Sequence, residues 1–292
     1  MKTLENFRNS MVKKIHFVTG KGGVGKSLLA AVLARSISLE NQQVLLAELN
    51  EKSFYKDYLH LKEISYKPIH WLKNLDICQW SPEDCLKEYA LHLLKIESLY
   101  KIFLENPVSK SLIQIAPGLQ ELALLGKITS SPRGHGPPMN YDQIVIDAFA
   151  TGHFLSLLRA PSALAEAIQF GPMGEQSRGV DQCIRNANFT QIHIVTLAEE
   201  LPITESIELY NQLLTEFKIT PVMYLNKISG LVPKDLSKLE PAIKQDLKIL
   251  IDQEEEARHS LKKNKINFIE LPLVASLQTD VLINNLSDHI RV

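Results

Sequence analysis

Short apolar runs alternate along the chain with longer stretches in which apolar positions recur every three or four residues. The runs are four to seven residues long and rich in Val, Ile and Leu, which is typical of strands buried on both faces of a parallel sheet. The longer stretches have the period of helices that cross between such strands. The pattern predicts strands at residues 15–18, 44–49, 75–80, 141–146, 191–197, 219–225 and 268–274, and helices at residues 27–40, 202–217 and 233–263. This alternation predicts an α/β fold with a doubly wound, mostly parallel sheet.

Two stretches carry helical patterning with no strand inside them. The first runs in pieces from about residue 81 to 130, and the second lies between about 154 and 187 and is broken at Gly171. We interpret the first as a helical insertion on the sheet and the second as a shorter helical segment. The chain contains no long low-complexity linker, so residues 1–292 are predicted to form a single domain.

Two polar segments are predicted loops. Residues 50–58 follow the second strand, at the carboxyl edge where α/β sheets place their ligands. Residues 130–140 are rich in Pro and Gly and predict a mobile surface connector, in which Arg133 and His135 are solvated.

A glycine-rich loop lies between the first strand and the first helix, which is the order that a phosphate-binding loop requires. In such a loop the backbone N–H groups converge on phosphates, Lys26 reaches the β- and γ-phosphates, and the Ser27 hydroxyl is placed to ligate Mg²⁺. A Gly-rich turn without a ligand is the alternative. The candidate nucleotide-binding residues here are Gly20, Lys21, Gly22, Gly23, Val24, Gly25, Lys26, Ser27 and Leu28.

Asp147 ends the apolar run at 141–146. An acid in that position is typical of the Walker-B aspartate, which holds Mg²⁺ in phosphate-loop enzymes. An aspartate that caps the next helix is the alternative.

Composition limits the partners and the compartment. The formal charge is −1, with Lys and Arg spread along the chain, so no basic surface for nucleic acid is predicted. The three cysteines, Cys78, Cys85 and Cys183, form no CxxC pair, which favours buried free thiols in a reducing cytoplasm over a disulfide framework. The N-terminal segment has the pattern of neither a signal peptide nor a membrane span.

Several motifs together resemble the ArsA family of ATPases. Residues 147–153 read DAFATGH, similar to the family's DTAPTGH switch, and the glycine loop KGGVGKS is its variant Walker motif. Residues 194–213, IVTLAEELPITESIELYNQL, resemble the family's VTLPEELPVNET segment, while APGLQELALLGKI and YLNKI resemble its helical insertion and its VVNRV strand. The resemblance runs from about residue 13 to 228 and implies a Mg²⁺-dependent ATP hydrolase.

The resemblance also implies roles for residues outside the glycine loop. Thr151 and Gly152 would lie beside the γ-phosphate, and Asn226 would read adenine; a turn or cap asparagine is the alternative for Asn226. Where the family reads STDPAHNLSDAF, this chain reads ELNEKSFYKDYL. Aligned without gaps, Asp57 matches the acid that positions the attacking water, although the DPAH portion is absent, and an exposed loop carboxylate is the alternative.

Lys21 is the extra lysine that marks the wider class of variant-Walker ATPases. In that class this lysine crosses a dimer interface to the partner's nucleotide, so the resemblance implies a homodimer with two nucleotides near its axis. A solvated loop lysine is the alternative.

Three departures limit the comparison with the family. The chain has no CxxC, no Met-rich client-binding segment and only one glycine loop, so neither a zinc-bridged dimer, nor arsenite transport, nor tail-anchor delivery is supported. The first functional hypothesis is an ATPase whose dimer opens and closes with its nucleotide and is coupled to an unidentified protein client or membrane-protein partner. The alternative is an ATP-dependent binding or assembly switch with negligible turnover. A membrane-positioning ATPase would need a basic amphipathic C-terminus, and residues 279–292 contain only Arg291 as a cation.

Overall fold

A computed structural model describes residues 15–50, 52–94, 118–137, 139–231, 240–276 and 278–290. Its strands are β1 Ile15–Gly20, β2 Val44–Glu48, β3 Ile69–Leu72, β4 Leu75–Gln79, β5 Gln143–Ala150, β6 Thr190–Leu197, β7 Val222–Ile228 and β8 Phe268–Pro272. Its helices are α1 Lys26–Ser38, α2 Phe54–Tyr58, α3 Pro82–Leu94, α4 Leu119–Ile128, α5 Ser130–Arg133, α6 Thr151–Ala167, α7 Pro172–Arg185, α8 Glu200–Gln212, α9 Pro241–Lys263 and α10 Thr279–His289. A π-helical turn, Leu213–Phe217, extends α8 and ends at Lys218, which has a left-handed backbone.

The strands form one sheet in the order β3-β4-β2-β5-β1-β6-β7-β8. All neighbouring pairs are parallel except the edge pair β3 and β4, which is antiparallel. The central strands β1 and β2 are buried along their whole length. The predicted doubly wound, mostly parallel α/β sheet is therefore confirmed.

Helices cover both faces of the sheet. On one face α1 and α10 pack against the strands, through core residues that include Leu33, Ile283 and Leu286. On the other face α4, α6, α7 and α8 pack over a second apolar cluster, which includes Phe154 and Leu124. No helix in the described part of the chain is long and apolar enough to cross a membrane.

The structure departs from the sequence pattern at β3 and at residues 54–58, and it agrees with the pattern at Gly171. The pattern missed β3, a four-residue edge strand that is only half-buried and therefore lacks a continuous apolar run. Within the predicted loop 50–58, residues Phe54–Tyr58 form α2, because Ser53 accepts a hydrogen bond from the Lys56 N–H and caps it. The break at Gly171 was predicted correctly, since α6 ends at Ala167 and α7 begins at Pro172.

The predicted connector at 130–140 contains the short helix α5, and the prediction of a solvated Arg133 was wrong. The Arg133 guanidinium donates hydrogen bonds to the Thr129 hydroxyl at 2.8 Å, the Gln176 side chain at 2.9 Å and the Gly126 carbonyl at 2.9 Å. Arg133 thereby joins α4 to α7.

The helical stretch that begins near residue 81 is described at α3, α4 and α5, whereas residues 95–117 lie outside the described residues. Lys127 on α4 is buried; it pairs with Glu88 and lies over the rings of Tyr66 and Trp80. The single-domain organisation and the bounds of the insertion stay predictions.

The three thiols are buried and free, as expected. Burial raises the pKa of Cys85 to about 12 and that of Cys183 to about 11, and it also raises the pKa of Cys78. All three are therefore thiols rather than thiolates at neutral pH.

A row of buried, hydrogen-bonded polar side chains crosses four neighbouring strands, β5, β1, β6 and β7. The His16 ring lies 3.1 Å from Gln143 on β5 and 3.1 Å from the His193 ring on β6. His193 in turn lies 3.2 Å from the Tyr224 hydroxyl on β7. Buried polar atoms need such partners, so this row adds a specific register to an otherwise apolar sheet.

We expect Tyr224→Phe to lower the free energy of unfolding by about 1 kcal/mol, because it removes one buried hydrogen bond and leaves packing unchanged. Urea denaturation measures the loss. Tyr210→Phe is the control, since the Tyr210 hydroxyl makes no hydrogen bond with another described residue. Equal stability of the two variants would show that the Tyr224 hydroxyl does not stabilise the sheet.

Candidate functional site

The fold creates a crevice at the carboxyl ends of β1 and β5. These two strands are neighbours, with Val18 in register with Asp147. The helix after β1 packs on one face of the sheet, and the helix after β5 packs on the other. Two adjacent strands whose connections diverge in this way form the topological switch point where α/β sheets bind ligands.

Two glycines let the loop after β1 pass close to its neighbours. A Cβ at Gly20 would lie 2.3 Å from the Val195 carbonyl oxygen, and one at Gly25 would lie 2.5 Å from Nδ2 of Asn226. Gly25 also has φ of +100°, which disfavours other residues. Gly22 and Gly23, in contrast, have open space where a Cβ would stand, so they leave room in front of the loop.

Two helices begin at this edge without a side-chain cap. Gly25 precedes α1 and Ala150 precedes α6, and neither supplies a capping hydrogen bond. The first N–H groups of each helix therefore lack a side-chain acceptor, and both positive dipole ends are available to an anion. Thr151 and Gly152 form the first turn of α6, and Gly152 is exposed.

The end of β5 is tied to the end of β1. The Thr19 hydroxyl donates to the Phe149 carbonyl at 2.8 Å. This bond holds the DAFATGH segment next to the glycine loop. The sequence-predicted residues Ser27, Thr151 and Gly152 thus belong to one edge of the sheet, while the side chains of Val24 and Leu28 pack against the core on the α1 face.

Lys26 is a half-buried cation at the centre of the loop. Its ammonium donates to the Lys21 carbonyl oxygen at 3.1 Å. Burial lowers its pKa, and the charge of Asp147 opposes that shift. A cation that is partly stripped of water and close to a carboxylate is placed to interact strongly with phosphate oxygens.

Asp147 is a completely buried carboxylate in the same crevice. Neither of its oxygens has a hydrogen-bond partner among the described residues. Burial raises its pKa to about 7; the Ser27 side chain lies close enough to oppose that rise, without an aligned hydrogen bond. An unpartnered buried carboxylate is costly, which indicates that a cation completes this position.

The residues here have the chemistry that Mg²⁺ needs. The ion prefers oxygen ligands and takes one or two from the protein, with the others from phosphate and water. Asp147 and the Ser27 hydroxyl supply such oxygens. A phosphate chain suits the same edge of the sheet, since open loop glycines, two uncapped helix N-termini and Lys26 all favour phosphate.

Asn226 braces the glycine loop from β7. Its amide Nδ2 donates to the Val24 carbonyl at 2.9 Å, and its Oδ1 accepts from the Lys227 N–H at 2.9 Å. The amide has a second N–H hydrogen and its oxygen a second lone pair. Its position at the end of a strand next to the loop is compatible with reading adenine, which stays a prediction.

Lys21 is paired within its own chain. Its ammonium lies 2.7 Å from Oε1 of Glu205 on α8, and the two side chains are 33% and 37% exposed. A pair this exposed contributes about 1 kcal/mol or less. Lys21 is therefore held in place weakly, and a stronger anion can displace Glu205.

Asp57 lies on the exposed side of α2, and its carboxylate makes no hydrogen bond or ion pair with another described residue. The carboxylate that the fold brings next to Asp147 is Glu48. The two residues are register partners on β2 and β5. Glu48 is fully buried, and burial raises its pKa.

Sequence reasoning missed three residues around the crevice. Glu48 carried a signal, because it is a charged residue that ends an otherwise apolar strand. Tyr55 and Glu205 lie within segments that the sequence pattern marks only as a loop and a helix. Tyr55 is buried and donates its hydroxyl to the Ser27 carbonyl at 2.8 Å, and Glu205 pairs with Lys21. Their partners are distant in the sequence, so no local pattern marks them.

The fold and the loop define a phosphate-loop NTPase, and comparisons with known proteins narrow the class. Residues 13–171 match the family model described as anion-transporting ATPase. ATPase BagA of Mycobacterium tuberculosis is 31% identical over 239 residues, covering 77% of this chain and 68% of the relative. ATPase get3 of Schizosaccharomyces japonicus is 27% identical over 61% of this chain and 56% of its own, and an arsenical pump-driving ATPase of Acidiphilium multivorum is 25% identical over 61% and 30%. The chain belongs to the ArsA ATPase family.

We expect Asp147→Asn to remove a pH dependence from the stability of the metal-free protein. The pKa of Asp147 is higher in the folded protein, about 7, than in the unfolded chain, so ionisation opposes folding. The penalty is absent below about pH 4, grows as the pH rises and is complete above about pH 7. Relative to the variant, wild type should lose about 2–3 kcal/mol of unfolding free energy between pH 5 and pH 8.

Urea denaturation with EDTA measures this difference. Asp246→Asn, which changes an exposed carboxylate on α9, is the control and should follow wild type. Parallel pH profiles of wild type and Asp147→Asn would contradict the expected ionisation.

Proposed function

We propose that this chain is a Mg²⁺-dependent ATP hydrolase whose nucleotide-driven dimer opening and closing is coupled to a partner or client protein. The observation that carries the proposal is the buried Asp147 carboxylate, which has no partner among the described residues and lies beside Lys26 in the crevice between two uncapped helix N-termini. This set of groups suits a phosphate chain with a divalent cation. Membership of an ATPase family supports ATP as the nucleotide.

Each group in the crevice has a defined task. The backbone N–H groups of residues 22–27 and the first turn of α6 orient phosphate oxygens, while Lys26 neutralises charge that develops on them. Asp147 and Ser27 hold Mg²⁺, and the bound ion supplies further charge neutralisation at the phosphates. The catalytic set that we propose is Lys21, Lys26, Asp57 and Asp147, and Asn226 contacts adenine.

The proposed homodimer rests on the resemblance to the variant-Walker ATPases, in which the lysine at the position of Lys21 reaches the nucleotide of the partner, and the weak pairing of Lys21 supports it. The ion pair of Lys21 with Glu205 is too exposed to hold the lysine against a phosphate chain. We propose that Lys21 leaves Glu205 when two copies meet face to face and then contacts the nucleotide of the partner. This exchange would make dimer closure depend on ATP.

The second candidate function is an ATP-dependent binding or assembly switch with negligible turnover. The exposed Asp57 favours it, since its carboxylate makes no contact within the described residues that would aim it at the crevice. Steady-state ATP turnover, compared with ATP-dependent dimerisation, separates the two functions. Dimerisation without turnover would support the switch.

The compartment and the partners are part of the proposal. We place the protein in the cytoplasm, with an unidentified protein client or membrane-protein partner and no nucleic acid. Anion chemistry that needs thiolates is not proposed, because Cys78, Cys85 and Cys183 are buried and burial raises the pKa of each thiol. Mass spectrometry of what co-purifies with the nucleotide-trapped protein would identify the client.

We expect Lys26→Ala to lower ATP turnover by about 100-fold or more, because one such charge at a transition state contributes on the order of 3 kcal/mol. A coupled phosphate-release assay measures the loss. Lys248→Ala, an exposed lysine on α9, is the control. Turnover near that of wild type in Lys26→Ala would contradict the proposed site.

We expect Lys21→Ala to bind ATP but to lose ATP-dependent dimer closure and hydrolysis. Glu205→Gln is the matched control, since it frees Lys21 from its ion pair and should leave closure intact or strengthen it. Sedimentation with a slowly hydrolysed ATP analogue measures closure.

A mixture of Lys21→Ala and Lys26→Ala chains tests action across the interface. In the mixed dimer, the site with Lys26 intact receives Lys21 from the other chain, so partial recovery of turnover is expected. No recovery in a verified mixed dimer, or normal hydrolysis by Lys21→Ala alone, would refute the role across the interface.

A further inference from the structure

Glu48 organises the segment that follows β2. Its Oε1 accepts from the Phe54 N–H at 2.6 Å and from the Asn50 amide at 3.4 Å, and its Oε2 accepts from the Ser53 hydroxyl at 2.6 Å. One buried carboxylate thus holds three donors within a span of five residues. Bonds from a charged acceptor at such short distances are among the strong hydrogen bonds of proteins.

The same segment is attached at two further points. The Gln79 side chain on β4 donates to the Asn50 carbonyl at 2.7 Å. Tyr55, fully buried, donates its hydroxyl to the Ser27 carbonyl at 2.8 Å. The segment is therefore docked between the end of the sheet and the first turn of α1.

The position of Glu48 relates this docking to the proposed metal site. Glu48 and Asp147 are partners on adjacent parallel strands, and the Leu49 N–H donates to the Asp147 carbonyl at 3.3 Å. Adjacent strands lie about 5 Å apart. Residues 50 and 52–58 follow β2 at this edge of the sheet and accordingly border the crevice.

Both Glu48 oxygens accept hydrogen bonds from the residues that follow β2, so the carboxylate is committed to that segment. We infer that Glu48 is a positioning residue, which holds residues 50 and 52–58 against the phosphate-binding crevice in the arrangement needed for hydrolysis. The Glu48 carboxylate holds these residues by accepting hydrogen bonds, and its main donor is the backbone N–H of Phe54 at the start of α2. The inference rests on the proposed hydrolytic function.

The test compares Glu48→Ala and Glu48→Gln in the full chain. Alanine removes every acceptor, so kcat should fall by about tenfold or more while the KM for ATP stays within about twofold. Amides 52–58 should exchange hydrogen faster without nucleotide. Glutamine keeps one acceptor oxygen for Phe54 and an N–H for Ser53, so it should restore the slow exchange and most of kcat.

Two further variants keep the test decisive if Glu48→Ala does not fold. Asn50→Ala removes one donor and leaves both Glu48 and the Ser53 cap of α2 intact, and it should speed exchange at 52–58 and lower kcat by a smaller factor. Asp57→Asn, which touches none of these hydrogen bonds, should leave exchange unchanged.

The inference is overturned if Glu48→Ala keeps wild-type kcat and slow exchange, or if Glu48→Gln is as impaired as alanine. A wild-type protein without ATP turnover would refute the proposed hydrolysis instead. The exchange measurements, which need neither ATP nor Mg²⁺, would still decide whether Glu48 holds the segment.

Discussion

A buried carboxylate without a hydrogen-bond partner is the feature on which the rest of the crevice depends. Asp147 lies inside the central strand β5, three residues before its end, where burial raises its pKa to about 7 and the described residues give neither oxygen a partner. Such a group lowers the stability of the metal-free protein. The apolar packing of the surrounding sheet offsets this cost in stability. The unpartnered carboxylate leaves the site with a strong preference for a cation.

The groups around Asp147 give the same site a second preference, which is for anions. Lys26, the open glycines and the uncapped N-termini of α1 and α6 attract phosphate, so the crevice favours a phosphate chain together with a divalent cation over either alone. The ion pair of Lys21 with Glu205 adds little stability by comparison. This weak pairing leaves Lys21 able to exchange Glu205 for a stronger anion.

The glycine loop is anchored at Val24. Asn226 braces it through the Val24 carbonyl, and the Val24 side chain is buried in the core. Residues 50 and 52–58 are held in a similar way, by hydrogen bonds to the Glu48 carboxylate and by the bond from the Tyr55 hydroxyl to Ser27. Backbone N–H groups at a binding site are effective when they need no reorganisation as the ligand arrives.

Sequence patterns alone predicted the alternation of strands and helices, the glycine loop with Lys26 and Ser27, and Asp147 directly after an apolar run, because periodicity and glycine spacing are local properties. The strand itself continues to Ala150. Motif resemblance added the family, which the comparisons confirm. Only the tertiary structure decided that Lys21 pairs with Glu205, 184 positions away, and that Asn226 contacts Val24 across 202 positions. It also decided that Glu48, rather than Asp57, lies beside Asp147, since strand order and register arise from packing between distant segments and leave no local pattern.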